Sequence, residues 1–138
     1  MSESIPIMQV KSFIKRAEPV TVHPDASLRE AARKMADERV GFLVVVDPGD
    51  PKRVLGVISE RDIVDALGHG REDSKVRDVM KTEVISVRED DTVYKAARLL
   101  SENNIRHLVV LDAEGKLRGV LSVKDLAYGE GALFSIVF

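Results

Sequence analysis

A chain of 138 residues, 44% hydrophobic and 32% charged, has the length of one ordinary domain or of two small units sharing a core. It contains no Cys, which excludes disulfides, thiolate metal sites and a cysteine nucleophile. The formal net charge of -2 lacks the basic excess of a nucleic-acid binder, and four Phe, two Tyr and no Trp offer few faces for stacking bases.

The N-terminus, Met1-Ser2-Glu3-Ser4, has no basic stretch leading into an apolar run, so no secretory signal is expected and the chain reads as cytoplasmic. Apolar runs such as residues 42–46 are too short to span a bilayer. His23, His69 and His107 show no metal-ligand spacing. Side-chain amides occur only at Gln9, Asn103 and Asn104, and the charged share exceeds the roughly 25% norm. That composition is either a thermophile tendency or an accident of a small sample.

In chain order, residues 10–15 predict an opening helical turn, and the β-branched residues 19–22 a short strand. Ser27 is a good N-cap for a helix whose Leu28, Ala31, Ala32 and Met35 share one face. Residues 42–46 form a continuous apolar run, as expected of a strand buried on both faces. Residues 48–53 predict a long hairpin loop, 54–58 the return strand and 62–67 a closing helix. The polar stretch 69–74, flanked by Gly68 and containing Gly70, reads as a linker, with His69 a solvated part of it.

The same order then begins again. Glu18-Pro19-Val20-Thr21-Val22 returns as Glu83-Val84-Ile85-Ser86-Val87, and the Ala31-Ala32-Arg33 helix returns as Ala96-Ala97-Arg98 behind the N-cap Thr92. Leu43-Val44-Val45-Val46-Asp47 returns as Leu108-Val109-Val110-Leu111-Asp112, a hairpin signal follows at residues 112–115, and a return strand and closing helix occupy 117–121 and 125–128. The organisation is therefore repeat 1 over 8–68, a linker over 69–74, repeat 2 over 75–128 and an apolar tail over 129–138. One β-α-β-β-α unit of this size leaves a sheet face bare. The expected fold is α/β (α+β): two tandem β-α-β-β-α repeats packed sheet to sheet with pseudo-twofold symmetry, with two equivalent clefts along the seam.

The motif that recurs with most chemical content is Gly, two apolar residues, Ser, two residues, Asp: Gly56 to Ser59 and Asp62, then Gly119 to Ser122 and Asp125. Ser stands where a strand ends and a helix begins, and free N–H groups there favour anions. Asp in the first helical turn can accept two hydrogen bonds from a vicinal diol, and Gly lets a ligand approach the backbone. The same spacing is close to a capping box, in which Ser and an acid satisfy the helix start by themselves. The two readings are compatible, and spacing alone leaves both open.

The doubled motif, the Ala-Ala helices and Asn104-Ile105-Arg106-His107-Leu108-Val109-Val110-Leu111-Asp112 resemble the CBS (cystathionine-beta-synthase) domain, and the pair resembles a Bateman module over about residues 8–128. The resemblance implies a stand-alone regulatory sensor with no catalytic residues. It implies adenosine-type ligands (AMP, ADP, ATP, at times S-adenosylmethionine or a dinucleotide) with no obligatory cofactor, and a disc-like homodimer that signals to a protein target. Carried onto this chain, cleft A takes Ser59, Arg61, Asp62, Val84, Ile85, Arg106 and His107. Cleft B takes Pro19, Val20, Gly41, Phe42, Ser122, Lys124 and Asp125. Asp62 and Asp125 would hold ribose, Ser59 and Ser122 would lie near phosphate, and Val84 with Ile85, or Pro19 with Val20, would line the adenine slot.

The repeats differ where Arg106-His107 faces Gly41-Phe42 in the alignment. Arg pairs with phosphate in a bidentate way and His adds a donor. Cleft A is therefore expected to be the tighter phosphate site, with cleft B taking a less charged ligand or staying empty. The bland alternatives are a solvated Arg106, a core or rim His107 and a core-filling Phe42. Among rival functions, an enzyme lacks a converging nucleophile and base. The remaining alternatives are a nucleic-acid-associated protein and a purely structural dimerisation module. The apolar stretch 132–138 either covers the chain's own core or docks on a second subunit.

Overall fold

A computed structural model describes residues 8–128, and the tail 129–138 lies outside the described residues. The chain is mixed α/β, with two three-stranded sheets and their helices. A 3-10 turn, Val10–Phe13, is followed by β1 (Thr21–Val22), α1 (Leu28–Glu38), β2 (Phe42–Asp47), β3 (Asp50–Ser59) and α2 (Glu60–Gly68). Then come α3 (Val76–Val79), β4 (Ser86–Arg88), α4 (Val93–Asn103), β5 (His107–Leu111), β6 (Leu117–Ser122) and α5 (Val123–Tyr128).

Each sheet places the apolar run in the middle. β2 pairs parallel to β1 and antiparallel to β3, and β5 pairs parallel to β4 and antiparallel to β6. Central position explains the unbroken hydrophobicity: residues 43–46 and 108–110 are all buried, whichever face they point to. The helices form as their caps dictate. Ser27 accepts a hydrogen bond from Glu30 N at 3.0 Å, and Thr92 from Lys95 N at 3.2 Å. Leu28, Ala31 and Met35 on α1, and Val93, Ala96 and Leu100 on α4, are the buried stripes.

The hairpin of repeat 1 differs from expectation. Residues 48–53 do not form a long loop: β3 starts at Asp50 and pairs with Asp47. The turn is tightened by Asp47, which accepts a hydrogen bond from Gly49 N at 2.8 Å, and the extra length is absorbed by register irregularities beside Val46.

Two compact units result, and their limits cut across the sequence repeats. One is residues 18–84; the other joins residues 8–17 to 85–128. In the first, Val76 of α3 enters a core with Val22, Leu28, Met35, Leu43, Val45, Ile58 and Ile63. In the second, Val10 and Phe13 enter a core with Val87, Val93, Leu100, Leu108, Val110, Leu121 and Leu126. Matching backbone bonds hold the two segments: Val76 N donates to Ala26 O at 2.8 Å, and Val10 N to Asp91 O at 2.9 Å.

The motif glycines owe their place to this docking. A Cβ on Gly56 would stand 2.7 Å from Lys81 O and 3.0 Å from Met80 Sδ, while one on Gly119 would stand 3.1 Å from Ile14 Cγ2. The close neighbour at each is therefore the chain's own segment, which corrects the expectation that Gly makes room for a ligand. Gly56→Ala should cost about 1–3 kcal/mol, because the backbone carbonyl cannot yield. Gly119→Ala should cost less than about 1 kcal/mol, since the Ile14 side chain can rotate. Urea denaturation compares the two, and a larger loss at Gly119 contradicts this account. Arg39, the C-cap of α1, sits at φ 56°, in the left-handed region that Asn104 occupies at the end of α4. Arg39→Gly should raise stability by about 0.5–1 kcal/mol, read in the same experiment.

Candidate functional site

The Ser and Asp of each motif meet at a strand-to-helix junction as a reciprocal pair. In residues 18–84, Ser59 Oγ accepts from Asp62 N at 3.3 Å, and Asp62 Oδ2 accepts from Ser59 N at 2.9 Å and from Ser59 Oγ at 3.0 Å. In the other unit, Ser122 Oγ accepts from Asp125 N at 3.2 Å and Asp125 Oδ2 accepts from Ser122 N at 2.8 Å. The capping reading of the motif is thus realised in both copies. It does not exhaust the carboxylates, because each uses one oxygen for the cap and keeps Oδ1 outside it.

The two Oδ1 atoms differ in their surroundings. Asp62 Oδ1 lies 3.4 Å from Lys81 Nζ, with the Asp62 side chain 10% and the Lys81 side chain 69% exposed. Asp125 makes no ion pair among the described residues. Lys81 was not anticipated from the sequence. It lies 19 positions from Asp62, and only the Val57–Lys81 backbone bridge brings it there.

Register brings the remaining candidates to the same end of each sheet. Phe42 is the β2 partner of Ser59, and Gly41 O accepts from Glu60 N at 2.9 Å. Val20 O accepts from Val44 N at 3.2 Å, and Val20 packs against the core of residues 18–84, as Ile85 packs against the other core. His107 is the β5 partner of Ser122, Arg106 O accepts from Val123 N at 3.0 Å, and Ile85 O accepts from Val109 N at 3.3 Å. Arg61, Arg106 and Lys124 are exposed, and Pro19, Val84, Phe42 and His107 are half-buried.

One unit therefore collects Pro19, Val20, Gly41, Phe42, Ser59, Arg61, Asp62 and Val84, and the other Ile85, Arg106, His107, Ser122, Lys124 and Asp125. Each cleft expected from the sequence draws on both units. Among the described residues, no cluster of His or acidic groups is arranged to hold a metal ion, and no helix is long and apolar enough to cross a membrane.

The backbone N–H groups of Ser59, Glu60 and Asp62, and of Ser122, Val123 and Asp125, are engaged within the junctions, which corrects the expectation of free N–H groups there; what each junction can offer a diol is one carboxylate oxygen. Replacing Ser59 or Ser122 by Ala should cost about 0.5–2 kcal/mol of stability through the lost cap. Lys81→Met should cost under about 1 kcal/mol, because the Lys81 side chain is 69% exposed and solvent screens its charge. Denaturant titration of the three variants checks this, and a Lys81→Met loss above that of Ser59→Ala would contradict it.

Comparison with known proteins gives the family. The family model described as CBS domain matches residues 10–69 and again residues 76–129. A CBS domain protein from Pyrobaculum aerophilum, solved in complex with AMP, is 34% identical and superposes with a TM-score of 0.86 over 94% of this chain and 98% of its own. The CBS domain pair of protein MJ0100, solved with 5′-methylthioadenosine and S-adenosyl-L-methionine, is 28% identical with a TM-score of 0.82, over 91% and 98% of the two chains. An uncharacterized 17.7 kDa protein of Acidianus ambivalens is 39% identical over 116 residues, 84% of this chain and 70% of that protein. Of two further curated relatives the chain spans 34% and 35% of the length.

Proposed function

The chain belongs to the CBS domain family, as a tandem pair, and from that premise we propose that it is a regulatory module binding adenosine-type ligands. The observation that carries the proposal is the recurrence, at one end of each sheet, of a Ser–Asp junction whose carboxylate keeps an oxygen outside the cap. The similar proteins complexed with AMP, or with 5′-methylthioadenosine and S-adenosylmethionine, support the ligand class.

In this proposal cleft A is formed by Ser59, Arg61, Asp62, Val84, Ile85, Arg106 and His107. Cleft B is formed by Pro19, Val20, Gly41, Phe42, Ser122, Lys124 and Asp125. Asp62 and Asp125 take the ribose hydroxyls, and in cleft A the diol displaces Lys81 from Asp62 Oδ1. AMP, ADP or ATP is the ligand of cleft A, where Arg106 and His107 supply donors for phosphate. The module works in the cytoplasm as a homodimer. It changes the state of a protein target, through the difference in ligand affinity between its two conformations, and performs no catalysis itself.

Titration calorimetry of the full chain with AMP and ATP tests this. AMP heat is expected in the parent. Asp62→Ala should weaken the tighter site roughly 10- to 100-fold, the worth of a charged hydrogen-bonding group, and Asp125→Ala should affect the weaker one. Absence of nucleotide heat in the parent overturns the proposal, and equal loss in the two variants overturns the ranking of the clefts. Native mass spectrometry of freshly purified protein checks both the homodimer and any ligand carried through purification.

A further inference from the structure

Position 60 breaks the symmetry of the two junctions: Glu60 aligns with Val123, and its place beside Gly41 is visible only in the structure. Glu60 and Val123 open their helices in the same backbone frame: Glu60 N donates to Gly41 O at 2.9 Å, and Val123 N to Arg106 O at 3.0 Å. Within that frame the charges are reversed. One junction carries a guanidinium on the residue before its strand and an apolar side chain on its first helix residue. The other carries no side chain before its strand and a carboxylate on its first helix residue.

The carboxylate is also specifically placed. Glu60 folds over Gly41, so that a Cβ at 41 would stand 2.9 Å from Glu60 Cδ, 3.0 Å from Oε1 and 3.2 Å from Oε2. It occupies the room that a side chain at position 41 would need, at the point where the other copy projects Arg106. Glu60 is exposed and makes no ion pair among the described residues, and Lys81 is engaged with Asp62. Its charge is left to act on whatever approaches Gly41 and Phe42.

We propose that Glu60 is a specificity-determining residue: it turns phosphate away from the Gly41–Phe42 end of the 18–84 unit and selects an adenosine whose 5′ substituent is neutral or cationic, such as a thioether or a sulfonium. This rests on the adenosine-binding proposal above and deepens it. A phosphate and a carboxylate about 5 Å apart in a partly solvated site repel strongly enough to change affinity by about tenfold, and a sulfonium is attracted at the same distance. Gly41 and Phe42 provide no compensating donor side chain, whereas Arg106 does at the equivalent position.

The test uses the full chain with AMP, 5′-methylthioadenosine and S-adenosylmethionine as probes in calorimetry, comparing the parent with Glu60→Gln and, as a second variant, Glu60→Ala. Both variants should tighten AMP at the weaker site about tenfold and loosen S-adenosylmethionine about threefold, leaving the neutral thioether within about twofold. A parent that binds AMP, with an AMP-to-S-adenosylmethionine ratio unchanged in both variants, overturns the role of Glu60 and leaves adenosine binding standing. A parent that binds none of the three probes overturns both.

Discussion

Much of the 18–84 unit depends on one close approach: Val57 and Lys81 exchange both backbone hydrogen bonds at 2.9 Å. The bridge needs a residue without a side chain at 56, because Lys81 O lies where a Cβ would be. It draws α3 in behind it, so that Val76 is fully buried among side chains of α1, β2 and β3. It also sets Lys81 beside Asp62. Core, glycine and site electrostatics are thus consequences of a single docked segment. The Val10–Phe13 turn docks on the unit of residues 85–128 in the corresponding way, but there the Gly119 neighbour is a side chain, that of Ile14. The two copies are consequently alike in fold and unlike in what packs on the motif glycine.

The same junction can serve stability and recognition because a carboxylate has two oxygens. In both copies Oδ2 closes the helix start, which is satisfied without any ligand. A helix start built this way is formed in advance and needs no ligand to order it. What distinguishes the copies is the charge set around that common frame. Glu60, Lys81 and Asp62 surround one junction, and Arg106, Lys124 and Asp125 the other.

Much of this was legible in the chain itself. The duplication, the N-caps Ser27 and Thr92, the buried central strands and the Ser–Asp pairs all follow from local chemistry: periodicity, capping and β-branched composition act between residues close in sequence. The pairing of Phe42 with Ser59, and of His107 with Ser122, depends on hairpin registers that the sequence leaves unstated. The hairpin at residues 48–53 was misread because Pro and Gly signal a turn without stating its length, and Asp47 holds the turn to two residues.

Sequence alone determined that the chain is a tandem CBS-type pair, which residues carry the motif, and that Arg106-His107 and Gly41-Phe42 differ. Only the tertiary structure decided that each opening turn joins a unit formed mainly by the other repeat, that Gly56 accommodates Lys81 O, that Lys81 reaches Asp62 and that Glu60 covers Gly41. The division has a physical cause. Capping and strand burial are decided within a few residues, whereas the neighbours of a glycine or a carboxylate are set by which distant segment wins the competition for an open apolar face.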